Sequence, residues 1–292
     1  MIAQSWCTDN GGLAGTIPPE IGHLSKLENL ILKNNPDLSG WVPTEIGHLK
    51  ALGQLGLYNN ALSGTIPNIF EHTAHLKFIN LEKNNLRGSI PLAVSNLKNL
   101  QTLVLSNNKL EGIVPIDQLA KTNVKYLGLS HNRFSSVIER SIKDIETLEY
   151  LYLDNNEMRG RIPGNIGFLT HLSKYKKVFR SCWVESISNE FVLFSIRAEA
   201  FDVANNKFTG TVPAEISNLR NLEYMSMNDN EFKGTLPKEL GLLTNMSKCT
   251  IRSWKMHVYF FSLSVLTYIS FSYIRNSECC FQSAFWNSAQ HF

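Results

Sequence analysis

The sequence predicts an α/β solenoid, in which short parallel strands stack into one concave sheet and turns or short helices cover the convex side. A frame of the form L-x-x-L-x-L-x-x-N-x-L-x-G-x-I-P recurs along the chain and keeps its register. The apolar residue after the asparagine falls at Leu38, Leu62, Leu86, Leu110, Phe134 and Met158 in steps of 24, and at Phe208 and Phe232, again 24 apart. Repeats of this length predict a stack of similar coils, each covering the apolar face of its neighbour.

The L-x-L segment of each unit alternates, so an extended strand turns its leucines to one side and the intervening residues to the other. An asparagine follows three residues after the last leucine, where the chain must turn. A buried amide there can bond backbone groups of its own turn and of the next coil. These asparagines predict a structural ladder at Asn35, Asn60, Asn84, Asn108, Asn132, Asn156, Asn206 and Asn230.

The remaining positions of the unit predict the convex side. Glycine suits a bend, and proline fixes φ and lacks a donor where the chain leaves the sheet. Segments such as "EIGHLKAL" then supply Ile and Leu to the core from a short helical or 3-10 turn. Ser136 and Glu139 occupy the glycine and proline positions of one unit, which predicts a local bulge.

The frame resembles the plant-type leucine-rich repeat, marked by L-x-G-x-I-P after the asparagine, as in "LSGTIP", "LRGSIP" and "FTGTVP". The resemblance implies a right-handed superhelix and covers roughly residues 13–172 and 198–247. The expected organisation is a truncated N-terminal cap at 1–12, repeats at 13–172, a non-repeat insertion at 173–198, repeats at 199–247, and a non-repeat tail at 248–292.

Composition and motifs argue against catalysis and nucleic-acid binding. The net charge of +3 is not gathered into a basic stripe, and no nucleophile elbow, phosphate loop, kinase signature or metal motif occurs. His23 and His48 share a repeat position but lack the further ligands a zinc site needs. The sequence therefore predicts no enzyme, no catalytic residue, no metal and no cofactor, and leaves a kinase domain conceivable only outside this chain.

The outward residues of the strands predict the binding surface, because the concave face is the usual binding face of the resembling family. Tyrosines gather at adjacent coils, and exposed tyrosines often anchor protein or peptide ligands. Tyrosine is also simply a good strand residue, so a sheet-covering role stays open. The candidate ligand-binding residues are Tyr58, Phe78, Glu82, Tyr126, Tyr150, Tyr152, Asp154 and Tyr224.

Residues 173–198 interrupt the repeat. Met158 and Phe208 are 50 residues apart, which is one repeat plus 26 residues, and removing 173–198 restores the frame as "HL-EAFDVANNKFTG". Ser-Lys stands at the start of this segment, as residues 173–174, and at the boundary of the tail, as residues 247–248, and codons for this pair can contain a splice-donor sequence. We interpret both as retained intron or read-through sequence. A true ligand-binding island and a degenerate repeat are the alternatives.

Signals for cellular location are weak. The N-terminus lacks the basic flank and apolar run of a secretory signal, and Asn245-Met246-Ser247 is the one glycosylation sequon. The 19 residues from 256 to 274 lack Asp, Glu, Lys and Arg, which leaves a membrane span open. The resemblance implies a cell-surface or extracellular protein, with a cytoplasmic location as the alternative.

The expected function is recognition without chemistry. The resemblance implies a fragment of a cell-surface receptor-like protein in signalling or defence that binds a protein or peptide, or else a glycan or a co-receptor. One alternative is a secreted inhibitor of cell-wall-degrading enzymes, and another is an intracellular scaffold. The identity of the ligand cannot be read from the repeats, since the frame encodes the scaffold.

Overall fold

The computed structural model describes residues 5–8, 12–172, 201–246, 248–251 and 256–257. Each coil contributes a strand to one large sheet and most add a second short strand beyond the asparagine turn. In chain order the strands are β1 (Ser5–Thr8), β2 (Gly15–Thr16), β3 (Asn29–Leu32), β4 (Leu38–Ser39), β5 (Gln54–Gly56), β6 (Ser63–Thr65), β7 (Phe78–Asn80), β8 (Asn85–Gly88), β9 (Thr102–Val104), β10 (Lys109–Gly112), β11 (Tyr126–Gly128), β12 (Arg133–Phe134), β13 (Tyr150–Tyr152), β14 (Arg159–Gly160), β15 (Phe201–Asp202), β16 (Lys207–Gly210), β17 (Tyr224–Ser226), β18 (Glu231–Phe232), β19 (Gly234–Thr235), β20 (Lys248–Thr250) and β21 (Met256–His257).

The main sheet is a single parallel stack of ten strands in the order β1-β3-β5-β7-β9-β11-β13-β15-β17-β20. Consecutive coils are therefore neighbours throughout, and the predicted α/β solenoid is confirmed. The stack continues through β20, three residues past the expected repeat boundary at residue 247.

The convex side consists of 3-10 turns and one short α-helix, as predicted. Six of the eight 3-10 turns in the described residues start directly after a proline of an I-P, V-P or L-P step, whose extended backbone leads into the turn. The 3-10 turns are Pro19–His23, Thr44–His48, Ile69–Glu71, Leu92–Asn96, Arg140–Asp144, Gly164–Phe168, Ala214–Asn218 and Lys238–Leu242, and the helix α1 is Ile116–Leu119.

The core runs unbroken from Ile17 to Ile251 and is filled by the apolar positions of the frame. The strand leucines Leu55, Leu103 and Leu127 are at most 1% exposed. Burying one such side chain stabilises the fold by about 1.5–3 kcal/mol. No coil could gain this alone, because its apolar side chains are covered by the coils above and below.

The ladder asparagines lie beside the core, most of them buried and Asn108 and Asn230 half-buried. Asn84 Nδ2 donates to the carbonyl of Leu81 in its own coil at 3.1 Å and to that of Leu57 in the preceding coil at 2.7 Å. Its Oδ1 accepts from the backbone N–H of Leu62 at 3.0 Å. Asn60, Asn108, Asn132, Asn156, Asn206 and Asn230 donate to the equivalent carbonyls of both coils. Each of these amides therefore links two adjacent coils through hydrogen bonds.

A left-handed residue precedes every ladder asparagine, and the frame did not reveal it. The φ values lie between 50° and 58° at Asn34, Asn59, Lys83, Asn107, His131, Asn155, Asn205 and Asp229. Six of these eight are Asn or Asp, whose short polar side chains tolerate this region best. The Asn-Asn pairs of the sequence therefore combine a backbone role with a hydrogen-bonding role.

The second row of strands is interrupted where the frame departs. Strands β6, β8, β10 and β12 form one short sheet and β14, β16 and β18 another. The gap follows Ser136, which replaces the glycine that elsewhere has a positive φ. Ser136 Oγ instead accepts from the N–H of Val114 at 3.3 Å, and the 3-10 turn still begins at Arg140.

The coils on either side of the insertion pair directly. Leu151 lies opposite Phe201, and Asn206 Oδ1 accepts from Met158 N at 2.9 Å, the same contact that the ladder makes elsewhere. Residues 173–198 lie outside the described residues, as does nearly all of the expected tail. No helix in the part of the chain that the structure describes has the length and apolar character to cross a membrane.

Candidate functional site

The concave face carries a cluster of three tyrosines on adjacent strands β11 and β13. Tyr126 lies opposite Tyr150, and Gly128 lies opposite Tyr152. The ring of Tyr126 contacts both neighbours, with centroids 5.6 Å from Tyr150 at a tilt of 37° and 5.3 Å from Tyr152 at 39°. Such tilted pairs are favourable aromatic contacts. We call Tyr126, Tyr150 and Tyr152 the tyrosine patch.

Gly128 makes this arrangement possible. A Cβ at Gly128 would lie 3.1 Å from Tyr126 Cε1 and 3.3 Å from Ser106 Oγ. Tyr126 therefore leans along its strand across the missing side chain. The space beside this glycine is filled by the tyrosine ring. Gly56 and Tyr58 repeat the relationship, with Tyr58 Cε1 3.4 Å from the added Cβ.

Two carboxylates act on the hydroxyl of Tyr126. Burial raises the pKa of Tyr126 above its usual range, and the negative charges of Glu82 and Asp154 raise it further, with a smaller contribution from Tyr150. A side-chain hydrogen bond with Tyr152 opposes these effects on the pKa. Tyr126 is therefore a neutral phenol at neutral pH, and the patch lies in a negative electrostatic environment.

Both carboxylates are held by polar neighbours. Asp154 Oδ1 accepts from Ser130 Oγ, and Asp154 Oδ2 accepts from Asn155 Nδ2 at 2.6 Å; His131 Nε2 lies 3.7 Å from the same Oδ2. Glu82 accepts from Asn107 Nδ2 at 3.3 Å. These contacts fix the positions of the acids at the edge of the patch, and the frame had not singled out Ser130 or Asn107.

The exposure of the aromatic residues differs from the sequence expectation. Tyr126, Tyr150 and Phe78 are half-buried, and they present part of their rings on the concave face. Tyr58, Tyr152 and Tyr224 are only 6%, 6% and 8% exposed, so the prediction of exposed tyrosines was wrong for these three. The tyrosines lean onto the sheet instead of standing away from it, since small neighbours leave room beside them.

The structure brings together only part of the predicted set. Tyr126, Tyr150, Tyr152, Glu82 and Asp154 interact as one cluster, while Phe78 lies on β7, two strands from β11. Tyr58 and Tyr224 belong to more distant coils. Asn245 is exposed and donates through Nδ2 to the carbonyl of Arg220 at 2.9 Å. Within the described ranges no group of three or more His, Cys, Asp or Glu side chains could hold a metal ion.

Comparison with known proteins defines the class. The Leucine Rich Repeat family model matches residues 75–97, 99–117, 147–169 and 221–243. No curated protein matches the sequence. The fold is a leucine-rich-repeat solenoid, and it is similar to that of plant leucine-rich-repeat ectodomains.

Its fold is that of plant receptor ectodomains. One similar structure is the ectodomain of the Arabidopsis thaliana membrane receptor kinase GASSHO1/SCHENGEN3 with CASPARIAN STRIP INTEGRITY FACTOR 2, at TM-score 0.70 and 27% identity over 85% of this chain and 27% of that chain. Another is the Arabidopsis receptor kinase HAESA with the peptide hormone IDA and the co-receptor SERK1, with a TM-score of 0.71 and 26% identity over 87% of this chain and 38% of that chain. A plant ice-binding protein is also similar, with a TM-score of 0.64 and 26% identity over 85% of this chain and 72% of that chain. The chain thus spans less than half of these two receptor chains.

Proposed function

We propose that this chain is a non-catalytic recognition module whose tyrosine patch binds a peptide or protein ligand on the concave face. The observation that carries the proposal is the contact of Tyr126 with Tyr150 and Tyr152 across two adjacent strands. Rings already packed against one another lose little side-chain freedom when a ligand covers them. Their remaining exposed edges give apolar area together with hydroxyl groups.

The similar structures support a peptide or protein as the ligand. HAESA was solved with a peptide hormone and a co-receptor, and GASSHO1/SCHENGEN3 with CASPARIAN STRIP INTEGRITY FACTOR 2. By analogy, this chain is part of a cell-surface receptor-like protein in signalling or defence, and a co-receptor or glycan is a further candidate partner. A secreted inhibitor of cell-wall-degrading enzymes and an intracellular scaffold remain the competing proposals.

The electrostatics of the patch narrow the ligand chemistry. Glu82 and Asp154 both act on the Tyr126 hydroxyl, so a ligand carboxylate placed there would meet two like charges. Uncharged donors and basic side chains would meet attraction, and a basic group could also lie on a tyrosine face. The proposed ligand segment therefore presents hydrogen-bond donors, and not acids, to the patch.

A peptide-display selection tests the proposal. A random peptide library is selected on the full chain and then counter-selected on the Tyr150→Ala variant, with thermal melts confirming that the variant is folded. We expect that most peptides enriched on the full chain do not bind Tyr150→Ala. We also expect these peptides to contain few acidic residues. Enriched peptides that bind both proteins equally would place the binding surface elsewhere and contradict the proposal.

Ice binding is a second candidate, because the chain covers 72% of a plant ice-binding protein of the same fold. The two functions need different surfaces and separate cleanly in an experiment. Thermal hysteresis of the purified chain at millimolar concentration is the measurement. A freezing-point gap that persists in Tyr150→Ala would favour ice binding, and no gap beyond that of the buffer would remove this candidate.

A further inference from the structure

A groove lies over the second row of strands, away from the tyrosine patch. It has a volume of about 510 Å³ and is lined by Ser63, Asn85, Arg87, Lys109, Glu111 and Arg133, which come from β6, β8, β10 and β12. This volume is within the range of small-ligand sites, roughly 300–1,000 Å³. We call it the lateral groove. Neither the repeat frame nor the proposed peptide site uses these residues.

The lateral groove gathers positive charge from three successive coils. Arg87 on β8 lies directly opposite Lys109 on β10, and like charges on opposed positions of neighbouring strands are destabilising. Arg133 on β12 lies opposite Glu111 on β10. In the described part of the chain, no ion pair involves any of these four residues. Three cations and one carboxylate leave the groove with two uncompensated positive charges.

We propose that the lateral groove binds a phosphate monoester on a small ligand. A phosphate monoester carries about −1.5 to −2 charge at neutral pH, which matches the two positive charges, whereas a carboxylate or a sulfate ester carries one. The arginine side chains can each donate two parallel hydrogen bonds to its oxygens. Asn85 adds an amide donor at the groove wall, whereas the Ser63 hydroxyl already donates to the carbonyl of Gly40 at 3.3 Å.

Position in the fold suits this role. The three cations come from separate strands about 4.8 Å apart, with Arg87 directly opposite Lys109 and Arg133 opposite Glu111, so their long side chains line one groove from three successive coils. Each strand is fixed by its ladder asparagine, namely Asn84, Asn108 and Asn132, whose amides bond the coil before. The groove is therefore preorganised even though its charged side chains are exposed.

Three matched sugars test the proposal on the full chain. Glucose 6-phosphate, glucose 6-sulfate and glucuronate carry phosphate, sulfate and carboxylate groups on the same ring, and calorimetric titration at low salt gives each affinity. We expect glucose 6-phosphate to bind about tenfold more tightly than the other two, since one additional charge contact is involved. Equal affinities for all three would show non-selective attraction of anions and overturn the proposal.

The pH dependence gives an independent readout. The second ionisation of a phosphate monoester has a pKa near 6, so affinity for glucose 6-phosphate should rise from pH 5 to pH 7.5. Glucose 6-sulfate keeps its charge over this range and controls for any change in the charge of the protein. The same pH dependence for both sugars would contradict a phosphate-specific site.

Charge-removing variants locate the binding. Arg87→Gln and Lys109→Gln should each lower the affinity for glucose 6-phosphate about fivefold or more, while melting temperatures stay equal or rise, because both side chains are exposed and each change removes one of two opposed like charges. Arg140→Gln and Lys143→Gln, on the exposed 3-10 turn of the convex side, are the matched controls. Control variants that lose as much affinity as the groove variants would show that only the net charge matters.

Discussion

At each turn of this solenoid, two consecutive residues have separate roles. The ladder asparagines satisfy backbone groups of two coils, and their preceding residues accept a left-handed backbone. Sequence reasoning could predict the amide, because the turn after a strand leaves polar groups to be bonded. It could not predict the backbone conformation, because that depends on the path to the next strand.

Replacing Asn156 by Ala should destabilise the fold by about 1–3 kcal/mol. Its Nδ2 bonds the carbonyls of Leu129 and Leu153, both at 3.0 Å, and its Oδ1 accepts from Phe134 N at 3.1 Å. Alanine would leave these buried groups unpaired. Chemical denaturation measures the change, and the exposed Asn96→Ala is the control. Equal midpoints for the two variants would refute the structural role of the ladder.

At the turn, glycine is favoured by its positive φ and also, at some positions, by lack of space for a side chain. At Gly160, with φ of 81°, a Cβ would lie 2.9 Å from Val137 Cγ1 of the preceding coil. At Gly112, with φ of 82°, the nearest atom is Ser89 Cβ at 3.6 Å. The two positions therefore share their backbone conformation and differ in the space available.

Gly160→Ala should consequently destabilise the fold more than Gly112→Ala, for which only the backbone term of about 1–2 kcal/mol applies. Adding Val137→Ala to Gly160→Ala should recover the difference, since it removes the crowding methyl group. Unfolding midpoints in urea measure all three variants. If the two glycine variants were equally stable, packing between coils would have no part in the choice of glycine.

Alkaline pH should weaken the last described coil through Cys249. Burial raises the pKa of this thiol from 9.0 to about 12. The folded protein thus holds a proton that the unfolded chain releases above pH 9.0, and the free energy of unfolding falls as pH rises from there toward about 12. Denaturation at pH 8 and pH 10.5 should show a smaller loss in the free energy of unfolding for Cys249→Val than for the parent protein. An identical loss in both proteins would mean that the thiol does not ionise on unfolding.

At the scale of elements, pairing between coils tolerates the interruption of the repeat. Strands β13 and β15 are neighbours in register although residues 173–198 separate them in the sequence. We propose that this segment and the tail after residue 247 are translated intron or read-through sequence. A matching cDNA that retains both segments as the main transcript would contradict this interpretation.

Deleting residues 173–198 should leave a folded protein with an equal or higher melting temperature. The deletion brings Leu172, which is fully buried, into repeat register with the strand at Phe201 and shortens the connection between the two coils. A deletion of the same length shifted by two residues, 171–196, removes Leu172 and is the control. A lower melting temperature for the first deletion than for the parent would show that the segment contributes to the fold.

For the molecule as a whole, the repeat frame predicted the architecture because each coil is specified by the same few positions. The order of the main sheet, the convex turns and the continuous core all follow from a spacing of 24 residues. The repeat frame predicted the arrangement of surface side chains less well, because outward residues adapt to their neighbours. Tyr152 is buried where Tyr126 leans over Gly128, and the cations of the lateral groove meet only once the coils are stacked.

The most direct test of the proposed function is the affinity of one selected peptide for two variants that each lose an exposed aromatic surface. Tyr150→Ala removes part of the tyrosine patch, and Phe168→Ala removes a side chain that is 66% exposed on the convex side. We predict at least a tenfold weaker affinity for Tyr150→Ala, as for a central aromatic contact, and an unchanged affinity for Phe168→Ala. Unchanged affinity for Tyr150→Ala, in a variant shown to be folded, would contradict the account.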